Sequence, residues 1–195
     1  VTGIVTLMFN RAMLTYVGEN GVAAITIIMY VLMFATSLYT GYSYGVAPMI
    51  SYYYGEGKHE KLKKLVRMSL KVIGSIALAA VILSYAATEP LVAVFTRPDN
   101  PVYDLAVAGN RICTPALLLI GFNIFGSSLF TALSNGAVSA VLAFLRSFVF
   151  MVMAMLILPE ILGVTGIWLA TPVAEFLAFL LTAALFLRYK KRYQY

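Results

Sequence analysis

From Val22 to Tyr54 no side chain carries a charge, and this one run decides what kind of protein the chain can be. Built as an α-helix it would extend roughly 50 Å, well past a hydrocarbon core of about 30 Å. It must tilt, bend or project from the bilayer. Gly41, Gly45 and Pro48 are the expected hinge, because glycine lacks a Cβ and proline removes a backbone donor while crowding the preceding turn. The run then gives way to Lys58, Lys61, Lys63, Lys64, Arg67 and Lys71. Loops rich in Lys and Arg stay inside, so the basic loop 55–64 is expected to be cytoplasmic, and it orients every other span.

With 62% hydrophobic and 11% charged residues and a mean hydropathy of +0.90, the 195-residue chain is too apolar for a soluble domain with a polar shell. An all-α integral membrane protein is expected. In a soluble protein a net charge of +6 would suggest nucleic acid. Here the basic residues gather at 58–71 and 188–192, beside hydrophobic spans, so membrane lipids with anionic headgroups are the expected partners and nucleic acid is not. Cys113 stands alone in an apolar run and His59 alone in the basic loop, which leaves no disulfide and no metal-ligand spacing. The chain opens at Val1 on about ten apolar residues with no basic region before them, which is neither a signal peptide nor a whole span. A piece of a longer protein is the expectation.

Six spans follow from charge and turn chemistry. The first, about 1–17 and truncated, ends at Gly18-Glu19-Asn20-Gly21, and the second occupies 22–54. The third runs over 65–88, before an outward loop rich in proline and acid, EPLVAVFTRPDNPVYD. SNGA at 134–137 divides the next long apolar run into helices at 104–133 and 137–158. Pro159, Glu160 and Gly163 are read as the next outer turn, and the last span, 164–187, ends in a basic, cytoplasmic carboxy terminus. Trp168 at one end and Tyr189, Tyr193 and Tyr195 at the other are read as an interfacial aromatic belt.

Lipid offers no hydrogen-bond partners, so polar stripes should face protein or water. Ser37, Thr40, Tyr44 and Ser51 make such a stripe at helical spacing on the second span, with Tyr30, Tyr39 and Tyr42 adding aromatic surface. On the fourth span Asn123, Ser127, Thr131 and Ser134 repeat in the same way. These two faces either line one cavity or, like Gly41-x-x-x-Gly45, let helices pack closely. Arg146 and Glu175 lie almost symmetrically about the turn at 160–161, on antiparallel neighbours, so a buried ion pair is predicted between spans five and six. It is either a static brace or part of a gate. Arg111, two turns from Asp104, and Arg11 are expected to reach headgroups or water. No serine-hydrolase elbow, zinc-protease helix or phosphate-binding glycine loop appears, so no enzyme is expected.

Four stretches resemble the multidrug and toxic compound extrusion (MATE) family in its carboxy-terminal half. They are FNRAMLTYVGENGVAA, GYSYGVAPMISYYYGEGKHEKLKK, LSNGAVSAVLAFLR and GVTGIWLATPVAE, in the expected order along nearly the whole chain. The resemblance implies a six-helix transmembrane bundle that is one half of a twelve-helix pseudo-twofold transporter, facing an amino-terminal bundle absent from this sequence. It implies a secondary active antiporter of the plasma (inner) membrane that exports amphipathic, often cationic small molecules by rocking of two bundles. Na⁺ or H⁺ serves as coupling ion, with no other cofactor. A lipid-linked saccharide flippase of the same superfamily and a non-transporting truncated or structural subunit are the alternatives. Under the resemblance Tyr30, Met33, Ser37, Tyr39, Thr40, Tyr44, Asn123 and Ser127 line the substrate cavity. Tyrosine faces attract flat cations, and Met29 and Met33 supply adaptable surface. Some members bind the coupling cation through acids of their seventh and tenth helices. The matching spans here hold no carboxylate within 1–17 or after Asp104, so no cation ligand carries over.

Overall fold

A backbone surrounded by hydrocarbon must satisfy its own amides, and each charge-free stretch accordingly becomes helix. The computed structural model describes residues 2–195. In order it holds α1 (Thr2–Tyr16), α2 (Glu19–Gly55), α3 (His59–Ala86), the short α4 (Thr88–Ala93), α5 (Pro101–Cys113) and α6 (Ala116–Ala132). Then come α7 (Gly136–Phe144), a π-helical segment (Leu145–Phe150), α8 (Met151–Leu162) and α9 (Val164–Tyr193). Four rods are long and apolar enough to cross a bilayer: α2, α3, the continuous Gly136–Leu162 rod and α9. The pair α5 and α6 makes a fifth if counted as one span, bent by 52°.

The boundaries differ from the sequence reading wherever proline or lysine was weighed too simply. The helix expected over 104–133 is broken at Thr114-Pro115, because Pro115 cannot continue the amide ladder and crowds the turn before it. Pro159 and Glu160, expected in a turn, are helical, and the reversal falls to Gly163 alone at φ 58°. Lys61, Lys63 and Lys64, expected in a loop over 55–64, lie in the first turns of α3; Lys, Glu and Leu are good helix formers, and only Glu56–Lys58 connect α2 to α3. Pro48 sits inside an unbroken α2.

Two clusters of buried side chains hold the rods together. Tyr39, Ile73, Phe125, Leu129 and Phe130 centre one among α2, α3 and α6. Phe9, Met13, Ile28, Ala106 and Trp168 centre the other among α1, α2, α5 and α9. Both depend on glycines that are not the expected pair. At Gly41 and Gly45 an added Cβ would meet nothing, whereas at Gly121 it would lie 2.8 Å from the Tyr39 ring and at Gly109 2.7 Å from the Trp168 ring. Close helix approach here is an aromatic ring laid on a bare backbone. Trp168 is therefore core rather than interfacial belt, and Tyr193 and Tyr195 are likewise buried, in a ring cluster with Tyr54, Phe186 and Tyr189.

The Tyr39 hydroxyl donates to the Leu117 carbonyl at 2.8 Å. Tyr39→Phe keeps the ring on Gly121 and removes only that bond, so a loss of about 1 kcal/mol is expected. The unfolding midpoint of the purified protein measures it.

Candidate functional site

A helix with one face on its neighbours leaves the other face for something else, and α2 shows both. Ala35, Tyr39, Ser43, Val46 and Ile50 are buried against the bundle. Tyr30, Met33, Phe34, Ser37, Gly41, Tyr44, Gly45, Pro48 and Tyr52 are exposed along the opposite side, Tyr44 by 69%. Four of the expected cavity residues, Tyr30, Met33, Ser37 and Tyr44, thus share one open face five to six turns long. Thr40 stands at its edge, half-buried. Tyr39 points the other way and is not a cavity residue in this fold; spaced two from Ser37, it lies nearly across the helix. The polar stripe of the fourth span also turns elsewhere. Ser127 and Thr131 bond Ser139 of α7, and Asn123 is buried toward α9, so the two stripes do not meet across one cavity.

Two grooves flank the open face. One, of about 810 Å³, runs between α2, α3 and α4 and is apolar, with Met33, Phe34, Leu38, Leu83 and Leu91 in its walls. The other, of about 840 Å³, lies toward α1 and carries Asn10, Arg11, Glu19 and Thr26. Tyr30 stacks on Phe95 with 5.9 Å between ring centroids and 1° between planes, and this pair borders both grooves.

Deeper in, the predicted ion pair is present. Arg146 Nε donates to both carboxylate oxygens of Glu175 at 3.0 Å. Asn123 Nδ2 donates to Glu175 Oε2 at 2.8 Å and to the Glu175 backbone carbonyl at 3.0 Å. Arg146 and Glu175 are not equidistant from the true turn at Gly163. The π-helical segment that carries Arg146 spends more residues per unit length than an α-helix and so helps bring the two level.

A second polar cluster escaped the sequence reading. Ser84 shares a 2.8 Å hydrogen bond with Thr114, and Asn110 Nδ2 reaches Ser84 Oγ and Thr88 Oγ1, tying α3 and α4 to the bend between α5 and α6. Ser84 and Thr88, like Asn110 and Thr114, are four residues apart, but the two pairs lie 26 residues apart on different elements and nothing in the sequence joins them. Pro172 leaves the Trp168 carbonyl without its helical donor, and the Cys113 thiol donates there at 3.1 Å. Arg111, expected to reach headgroups or water, is exposed and pairs with Glu89 at 3.3 Å. No cluster of three or more His, Cys, Asp or Glu able to hold a metal occurs among the described residues.

Comparison with known proteins joins these observations. A Staphylococcus haemolyticus (strain JCSC1435) protein, the multidrug export protein MepA, is 26% identical over 190 residues, covering 94% of this chain and 40% of that protein. The outward-facing structure of a multidrug resistance MATE family transporter matches with a TM-score of 0.85 at 24% identity, over 97% of this chain and 44% of that one. An inward-facing structure described in the same words matches at 0.88 and 23% identity, over 98% and 44%. A Pyrococcus furiosus transporter of the MOP superfamily, reported for the reversed polarity of its binding pocket, matches at 0.87 and 22%, over 98% and 43%. At these identities the structures speak to fold alone, and the chain spans about two-fifths of the length of the proteins it matches. The family profile MatE matches residues 4–157, from α1 into α8, and with that match the chain belongs to the MatE family.

Proposed function

We propose that this chain is the carboxy-terminal bundle of a secondary active antiporter that exports amphipathic, cationic small molecules in exchange for Na⁺ or H⁺. The open face of α2 carries the reading. Tyr30, Met33, Phe34 and Tyr44 offer aromatic and thioether surface to flat cations, and none of them serves as core within this half. An amino-terminal bundle facing this surface would close a cavity around it. The bundle's likeness to an outward-facing and to an inward-facing structure, at TM-scores of 0.85 and 0.88, supports a half that keeps its shape while its orientation changes. The protein resides in the plasma (inner) membrane, with the basic start of α3 and the carboxy terminus in the cytoplasm against anionic lipid.

The test is efflux of a fluorescent lipophilic cation from proteoliposomes holding the intact protein, under separately imposed Na⁺ and H⁺ gradients. Transport driven by one gradient is expected. Tyr44→Ala should raise KM by roughly 2- to 30-fold, the equivalent of about 0.5 to 2 kcal/mol of cation–π attraction. Tyr39→Phe should leave KM unchanged. Folded protein that moves no cation under either gradient would overturn the reading in favour of a flippase or a narrow metabolite exporter.

A further inference from the structure

The two grooves beside α2 meet at the Tyr30–Phe95 stack, and their walls change character there as one leaflet of a bilayer does. The groove of about 840 Å³ lies at the end of the bundle that holds the α1–α2 turn, opposite the lysines at the start of α3. Arg11 and Glu19 stand exposed in its walls, and neither side chain has a partner among the described residues. Asn10, half-buried in the same wall, has an Oδ1 that finds no donor. One cavity thus presents an unpaired cation, an unpaired anion and an unsatisfied acceptor. Counted back from the turn, Arg11 is level with Thr26, about one helical turn outside Tyr30. The groove of about 810 Å³ on the other side of the stack is apolar. It follows α2 from Tyr30 to Leu38 for roughly 12 Å, most of the ~15 Å that one leaflet contributes to a core of about 30 Å. Tyr30 and Phe95, each about half exposed, are the aromatic pair that a boundary between these surroundings favours.

We propose that the two grooves are one site for a phospholipid of the outer leaflet whose headgroup is a zwitterion with a primary amine, as in phosphatidylethanolamine. Arg11 holds the phosphate, Glu19 and Asn10 Oδ1 accept from the ammonium, and an acyl chain lies in the apolar groove past Tyr30 and Phe95. Each part of the headgroup answers something the cavity leaves open. A phosphate matches the planar fork of a guanidinium with two parallel donors. A purely anionic headgroup would set its charge near Glu19 with nothing to answer the carboxylate. A trimethylammonium would balance Glu19 but has no N–H for Asn10 Oδ1, and a buried acceptor left unpaired is costly. A turn of the Asn10 amide about its soft χ2 brings that oxygen to the cavity. Lipid seated here leaves Tyr44, roughly 21 Å further along α2, free. The outer leaflet as source rests on the orientation given under Proposed function. The binding itself does not depend on transport.

The test is native mass spectrometry of the delipidated intact protein titrated with dilauroyl phosphatidylethanolamine, and with the phosphatidylcholine and phosphatidylglycerol of the same chains. One phosphatidylethanolamine is expected to bind about fivefold or more tightly than either. Arg11→Ala and Glu19→Gln should each weaken it by a similar factor, and Glu19→Gln should erase the preference over phosphatidylglycerol. Both side chains are exposed and pair with nothing, so these variants fold. Leu83→Trp, which fills the apolar groove from α3, should weaken all three lipids alike. Arg97→Ala, which removes an exposed cation that lines neither groove, should change nothing. Equal binding of the three lipids, or binding untouched by Arg11→Ala and Glu19→Gln, means annular lipid only and overturns the site. A cysteine placed by Thr96→Cys should react with a water-soluble maleimide in the lipid-free protein and be protected by dilauroyl phosphatidylethanolamine, the native Cys113 being buried. A thiol closed to the reagent without lipid would show that another part of the protein fills the cavity, and that overturns the site too. Protein that binds the lipid in this way and moves no lipophilic cation leaves the site standing and removes the transport reading instead.

Discussion

Replacing Glu175 by leucine is expected to destabilise the bundle by about 3 to 5 kcal/mol, the usual cost of stripping one partner from a buried ion pair. The leucine leaves the Arg146 guanidinium without a counter-charge and the Asn123 amide with only the backbone carbonyl of residue 175 as acceptor, two faults in one place. Arg146 is partly exposed and can lean toward water, so the lower end of that range is expected. Chemical or thermal unfolding in detergent measures the loss. Reversing both charges, Arg146→Glu with Glu175→Arg, should recover part of what either single reversal forfeits. A double reversal that folds no better than the worse single one would show that the two side chains do not support each other in solution.

An alanine at Gly166 is the second large effect. Its Cβ would collide with the Leu158 carbonyl across the tight reversal at Gly163, and the obstacle is backbone rather than a side chain that could rotate away. One methyl group must push α8 and α9 apart or unwind the start of α9. A cost of about 3 kcal/mol is expected, at the upper end for overpacking. Trp168, two residues on, would lose its seat over Gly109 as the helix shifts. Gly74→Ala is the control. There a Cβ would make only an ordinary 3.5 Å contact with Phe122, in the middle of α3, so a gain of up to about 1 kcal/mol is expected from helix propensity. Equal losses at the two positions would mean that helix packing in this bundle is not set by backbone contact at the reversal.

The fold was legible because its causes are local. A run of uncharged residues from Val22 to Tyr54 can only be a long helix in lipid, and glycines 18 and 163 terminate helices by taking positive φ, whatever surrounds them. Arg146 and Glu175 could be paired from sequence for a related reason: charges in hydrocarbon need partners, and antiparallel neighbours joined by a short turn offer few.

What stayed hidden is which side of each helix meets which neighbour. Tyr39 and Tyr44 are equivalent as letters in an apolar run, yet one is sealed over Gly121 and the other stands open, because the rotation of α2 is set by α6. Gly41-x-x-x-Gly45 looked like a packing motif, while the glycines that let helices touch, 109 and 121, are matched to aromatic rings 59 and 82 residues away along the chain, at Trp168 and Tyr39. The bend at Pro115, the hydroxyl cluster around Asn110 and the unpaired oxygen of Asn123 arise in the same way. Spans, turns and charge placement follow from what each residue does to its own few neighbours and to the solvent. The open face, the grooves and the Arg146–Glu175–Asn123 network follow from contacts between distant residues, which only close packing of the rods specifies.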